Sequence, residues 1–118
     1  MEHQKMEEIR AYIRSEAVDK KINPEKQNRH IKESAEYIAG RSYLLPGVDA
    51  QELVDTYHGT GETWVAKSGA WKQKETIRVD KNIGVNVDLF AAKETITNRF
   101  TIHYSKTGSH IVPSERVD

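Results

Sequence analysis

Apolar positions follow two rhythms along the chain, helical spacing as far as Gly59 and alternation from Gly61 onward. Met6, Ile9, Ile13 and Ala17 predict a helix over 3–20. Its apolar stripe is narrow, and Glu7, Glu8, Arg10 and Arg14 fill the other faces, so the helix reads as solvated and residues 1–21 as a connector from a larger polypeptide. Pro24 pushes Asn23 out of helical geometry and ends it. Residues 26–31 follow, and 32–37, with little apolar surface, predict one or two helical turns closing at Gly40. Arg41 to Gly47 reads as extended, with a Pro46-Gly47 turn. Asp49 caps a clearer helix, with Glu52 at the reciprocal capping position, Leu53, Val54 and Tyr57 facing inward, and Gly59 at its end.

Beyond Gly61, segments 62–67 and 71–75 flank Ser68-Gly69 as a hairpin, and strands are expected at 76–79, 83–87 and 99–105, with turns at 80–82 and 88–93. The most strand-like stretch alternates Phe100, Ile102 and Tyr104 with Thr101, His103 and Ser105. Reading Thr107-Gly108 as a two-residue turn pairs Ser105 with His110, Lys106 with Ser109 and Tyr104 with Ile111. Thr101, His103, Ser105 and His110 then share one polar face, with Lys106 at its edge. Helices followed by an antiparallel meander predict an α+β fold, with the N-terminal helices packed on one face of the sheet and the other face partly open.

A chain of 118 residues supports one core, and 36% hydrophobic against 31% charged residues makes that core thin. Eighteen basic and eighteen acidic side chains exclude a simple polycation. The distribution is uneven. Lys20 to Arg41 holds six basic and three acidic residues, and Lys93 to Pro113 holds three basic, one acidic and two histidines, which predicts a basic groove. The absence of cysteine excludes disulfides, thiolate nucleophiles and cysteine-type zinc sites. No apolar run reaches the length of a membrane span. The sequence has no P-loop, dinucleotide-binding glycine fingerprint or nucleophile elbow. Asp80, Asp88 and Glu94 fall in expected turns, away from the histidines, so no metal is expected.

His103 and His110 are the sharpest chemical candidates, because an imidazole near neutrality both takes and gives a proton. Strand histidines also solvate a sheet face without chemistry, and periodicity alone does not separate the two. His30, near Lys26 and Arg29, is a third candidate whose plain alternative is a polar loop. Arg41 could hold a phosphate in bidentate geometry or pair with a surface carboxylate. Trp64 and Trp71 could stack on bases, but tryptophans in a small domain are more often core, and neither is taken as a site residue.

The segments Asn23 to Ile31, Tyr37 to Leu44, Gly59 to Gly61, Asp80 to Val85 and Arg99 to Pro113 together resemble the polymorphic toxin type 50 domain, found at the C-termini of phage minor head proteins and related secreted polypeptides. The resemblance spans roughly residues 22–113 and assigns 22–118 to the toxin domain. It implies a ribonuclease toxin with a barnase/EndoU/colicin/RelE-like arrangement of helices before an antiparallel sheet. The matching polar residues are Lys26, Gln27, His30, Arg41, Ser42, Thr101, His103, Ser105, Lys106 and His110. The expected function is a metal-independent endoribonuclease without cofactor, cleaving RNA by attack of the ribose 2′-hydroxyl. His30 and one of His103 or His110 form the acid/base couple, Arg41 and Lys106 stabilise the phosphorane, and Lys26, Thr101 and Ser105 hold substrate. A cognate immunity protein, delivery on a larger phage or secreted polypeptide, and action in the cytoplasm of a target or host cell go with it, with no membrane partner. The alternatives are a non-enzymatic phage structural or adaptor domain and a nuclease toxin acting on DNA.

Overall fold

The computed structural model describes residues 2–115. Met1 and residues 116–118, the outer ends of the expected connector and toxin domain, lie outside the described residues.

The first helix, α1 (Glu2–Arg14), buries Ile9 and Ile13, and Val18 follows them into the core from the turn after it. Each such side chain contributes about 1.5–3 kcal/mol on full burial. Its narrow apolar stripe therefore docks rather than standing in solvent. Two arginines reinforce the docking: Arg10 Nε donates to the Gly61 carbonyl at 2.8 Å and Arg14 Nη1 to the Gly59 carbonyl at 2.6 Å. A short helix that the sequence did not mark, α2 (Pro24–Asn28), follows, capped by the Asn23 side chain, while residues 32–36, where helical turns were expected, form turns and bends without a helix. Helix α3 (Ala50–Tyr57) follows its expected signals, with the Asp49 carboxylate accepting from the Gln51 and Glu52 amides and Leu53 and Val54 buried.

The strands are β1 (Tyr43–Leu44), β2 (Glu62–Val65), β3 (Trp71–Arg78), β4 (Gly84–Asp88), β5 (Lys93–Thr97), β6 (Arg99–His103) and β7 (His110–Pro113). The fold is α+β. The strands form two antiparallel sheets, in the order β2-β3-β6-β7 and β1-β4-β5, where the sequence suggested one meander. The chain leaves the larger sheet after Val79 and returns at Arg99, and Asn98 closes the junction by exchanging hydrogen bonds with Val79. Strand β5 lies where a turn and Glu94 loop were expected. Its outward Ile96 is half exposed, so no buried apolar alternation marks it.

Phe100, Ile102, Ile111 and Ile77 project from one face of the larger sheet into the core with α1 and α3, and Tyr57 meets Phe100 edge-on. The buried Glu75 also lies on this face. Its side-chain oxygens accept from the Gly59 amide at 3.0 Å, the Gly61 amide at 2.9 Å and the Tyr104 hydroxyl at 2.7 Å, so the buried carboxyl group is met by three donors. Burial and this carboxylate push the Tyr104 phenol far up. Among the described residues no helix is long and apolar enough to cross a membrane.

Candidate active site

The other face of the larger sheet carries Lys74, Thr76 and Arg78 from β3, Arg99, Thr101 and His103 from β6, and His110 from β7. His103 and His110 are directly paired, with Thr101 opposite Val112. The turn between them runs over 104–109 instead of two residues, which corrects the expected Ser105–His110 and Lys106–Ser109 pairs by two positions. An even shift leaves every side chain on its expected face. Gly108 makes the longer turn possible with φ of 109°, and a Cβ there would lie 2.9 Å from the Lys21 carbonyl.

That carbonyl belongs to the device that brings α2 to β7. Ser109 N donates to Lys21 O and Asn23 N to Ser109 O, both at 2.8 Å, so residues 21–23 run beside the turn like a short strand. One helical turn later, the buried Gln27 amide closes a pair of bonds on the Ile111 backbone, donating to its carbonyl at 2.9 Å and accepting from its N–H at 2.7 Å. His30 comes next, and its ring lies 5.7 Å from that of His110 at an interplanar angle of 13°. His103 lies on the far side of His110, 4.7 Å away at 24°. Three imidazoles thus form a stack with His110 in the middle.

His30 is pinned from two sides. Its Nδ1–H donates to the Ser42 carbonyl at 2.9 Å, and its own carbonyl accepts from Leu44 N at 2.9 Å. A carbonyl only accepts, so the proton sits on Nδ1 and Nε2 keeps its lone pair. Ser42 is held in turn by the Val87 amide at 2.9 Å and by Asn86. Burial lowers the pKa of all three histidines, to about 4 for His103 and about 3 for His110. Lys74 and His30 add to the effect at His103; His103, His30, Lys26 and Arg29 add to it at His110. At His30 the Ser42 bond opposes burial, while Arg41 and Arg29 support it. Among the described residues, the charges that shift the three histidines are all positive. The site is an imidazole column held toward its neutral form with cations nearby, suited to a bound anion. Because the rings are nearly parallel, their lone pairs do not converge on one point, and among the described residues no group of three His, Asp or Glu side chains is arranged to hold a metal ion.

The family model for bacterial toxin 50 matches residues 22–113. The chain belongs to this toxin family. The match runs from Ile22, through all three stacked histidines, to the end of β7, and leaves α1 outside. No curated protein gives a significant match.

In this toxin domain the expected site residues separate into groups. His30, His103 and His110 come together, with Arg41 exposed beside His30. Lys26 Nζ donates to Ser105 Oγ at 3.0 Å and Thr107 Oγ1 at 2.9 Å, while Ser105 Oγ donates to the Gly108 carbonyl at 2.7 Å, so these residues organise the turn below His110. Thr101 shares the histidine face but is buried, its hydroxyl bonded to Ser114 at 2.7 Å and Thr76 at 3.2 Å. Lys106 does not join the stack. It is exposed and borders a cavity of about 260 Å³ with Tyr12, Asp19, Trp71 and Tyr104, and no histidine borders that cavity.

Lys74 stands directly opposite His103, and its Nζ lies 5.0 Å over the ring of Trp64, which is 40% exposed. Neither was expected near the histidines. Reading 71–78 as one strand instead of two segments would have placed Lys74 with Thr76 and Arg78 on the polar face. Gln27 appeared only as a matching residue; its role depends on a partner 84 positions away, which no local pattern reveals.

Proposed function

We propose that this toxin domain is a metal-independent endoribonuclease that cleaves by 2′-hydroxyl transesterification. The stack of three imidazoles held toward their neutral form, with Lys26, Arg29, Arg41 and Lys74 nearby, carries the reading. One imidazole takes the 2′-hydroxyl proton as that oxygen attacks phosphorus. The P–O5′ bond then breaks, and a second imidazole protonates the departing 5′-oxygen, leaving a 2′,3′-cyclic phosphate and a 5′-hydroxyl. The acid must be protonated, and a histidine with a lowered pKa is not. A phosphodiester on the stack supplies the missing negative charge and raises the imidazole pKa, so the acid forms on binding.

His30 is the favoured base, because its Nδ1–H is committed to Ser42 and its Nε2 is free to accept. His103 or His110 serves as the acid, with His110 in contact with both other rings. Arg41 and Lys74 balance the phosphorane charge, Lys74 taking the place expected of Lys106. Lys26, Ser105 and Thr101 position the histidine strands. An exposed indole against Lys74, the residue opposite His103, suits single-stranded RNA, whose bases stack on aromatic rings. Membership of a toxin family favours this over an adaptor role and fits a cognate immunity protein, delivery on a larger phage or secreted polypeptide, and action in the cytoplasm of the target or host cell.

The deciding experiment incubates the purified chain with tRNA, rRNA and DNA in EDTA. Cleaved RNA ending in 2′,3′-cyclic phosphate, with DNA intact, is the expected result. Intact RNA would falsify the reading, and cleaved DNA would redirect it to the other nucleic acid.

A further inference from the structure

Four residues along β6 from His103, Arg99 is paired directly with Arg78 of β3. Like charges directly opposite on a sheet are destabilising, so this pairing works against the fold unless a negative group joins it. A third guanidinium, Arg10, borders the same cavity of about 300 Å³, with Thr60, Gly61, Glu62 and Thr76 completing the wall. Glu62 is the one carboxylate in that wall, and among the described residues it makes no ion pair with any of the three arginines. Arg10 is partly committed, to the Gly61 carbonyl and to Glu7. Arg99 Nε is buried and has no hydrogen-bond partner among the described residues, while Arg78 is exposed and makes no side-chain bond there. Buried donors are rarely left orphaned, and guanidinium forks match phosphate oxygens.

We infer that the cleft between Arg78, Arg99 and Arg10 is a second phosphate subsite, which takes a phosphodiester of the same RNA strand whose scissile group lies on the histidine stack. This rests on the ribonuclease reading. At about 3.3 Å per residue, Arg99 stands about 13 Å along the strand from His103, a few nucleotides of extended chain. The hydroxyl row of Thr76 and Thr101 lies between the two sites on the same face, and Glu62, paired with Thr76 from β2, flanks this path on one side only. The subsite selects for strand length: a dinucleotide reaches only the histidines, and a longer strand reaches both.

The test uses 2′-O-methyl oligoribonucleotides, which bind but cannot be cleaved, on the full chain. A hexanucleotide is expected to bind about tenfold more tightly than a dinucleotide. Arg78→Gln and Arg99→Lys, checked by circular dichroism and thermal melting, bring that ratio close to one. The salt slope of hexanucleotide binding falls by about 0.7 for each phosphate that is no longer neutralised. In parallel, inorganic phosphate titrated into the labelled chain shifts the Arg99 Nε–H resonance. If the dinucleotide binds and the hexanucleotide gains nothing, or if both folded variants keep the gain, the subsite is wrong and the ribonuclease reading stands. If phosphate shifts Arg99 but neither oligonucleotide binds, both are overturned.

Discussion

His110 lies between two other imidazoles, and its position explains why the three histidines act as one electrostatic unit. Protonating any one of them places a charge against a neighbouring ring and beside lysine or arginine, so each resists its own titration. Replacing His30, His103 or His110 singly by alanine is expected to lower RNA cleavage by about 10²–10⁴-fold, measured as kcat/KM on an RNA oligonucleotide. The same resistance makes stability depend on pH. With His103 held to about 4 and His110 to about 3, the unfolded chain binds more protons than the folded one from about pH 6.5 down to those values. Stability therefore falls on acidification through that window, by about 2 kcal/mol after allowance for partial exposure. Urea midpoints at about pH 7 and about pH 4.5 measure the loss, and the His103→Gln, His110→Gln double variant should flatten it; an unchanged slope would show that other groups carry it.

Among the elements, α2 is only five residues long and holds its place through bonds to β7 and its turn, not through an apolar face of its own. Gln27→Ala leaves the Ile111 N–H and C=O buried without partners and should cost about 2–4 kcal/mol, read by urea unfolding. Because His30 follows α2 directly, nuclear Overhauser effects between the His30 and His110 rings should also disappear in the variant. Gly108→Ala tests the β6–β7 turn: a φ of 109° and close approach to the Lys21 carbonyl predict a loss of about 1–3 kcal/mol, whereas an exposed two-residue turn would lose far less. Helix α3 was legible because its signals are local, an Asp49 cap and the inward Leu53 and Val54. Strand β5 was not, because its lone apolar side chain, Ile96, points toward solvent.

Across the whole molecule, α1 and the toxin 50 region share one core. Ile9, Ile13 and Val18 pack with Phe100, Ile102 and Tyr104, while Arg10 and Arg14 hold the carbonyls of the Gly61 and Gly59 segment whose amides Glu75 holds. Ile13→Ala is expected to cost about 2–5 kcal/mol, and removing residues 1–21 should abolish cooperative thermal unfolding. A shortened chain that melts at the same temperature would support residues 1–21 as a detachable connector. The sequence by itself determined the α+β class and the polar face bearing His103 and His110, because caps and alternation are set by neighbouring residues and survive an even slip of register. It also placed His30 and Gln27 in the family's motif. Only the tertiary structure decided that His30 stacks on His110, that Lys74 replaces Lys106 beside the histidines, and that Arg78 meets Arg99. Those pairings join segments far apart in the chain, and their geometry follows from strand register and core docking, which local pattern does not contain.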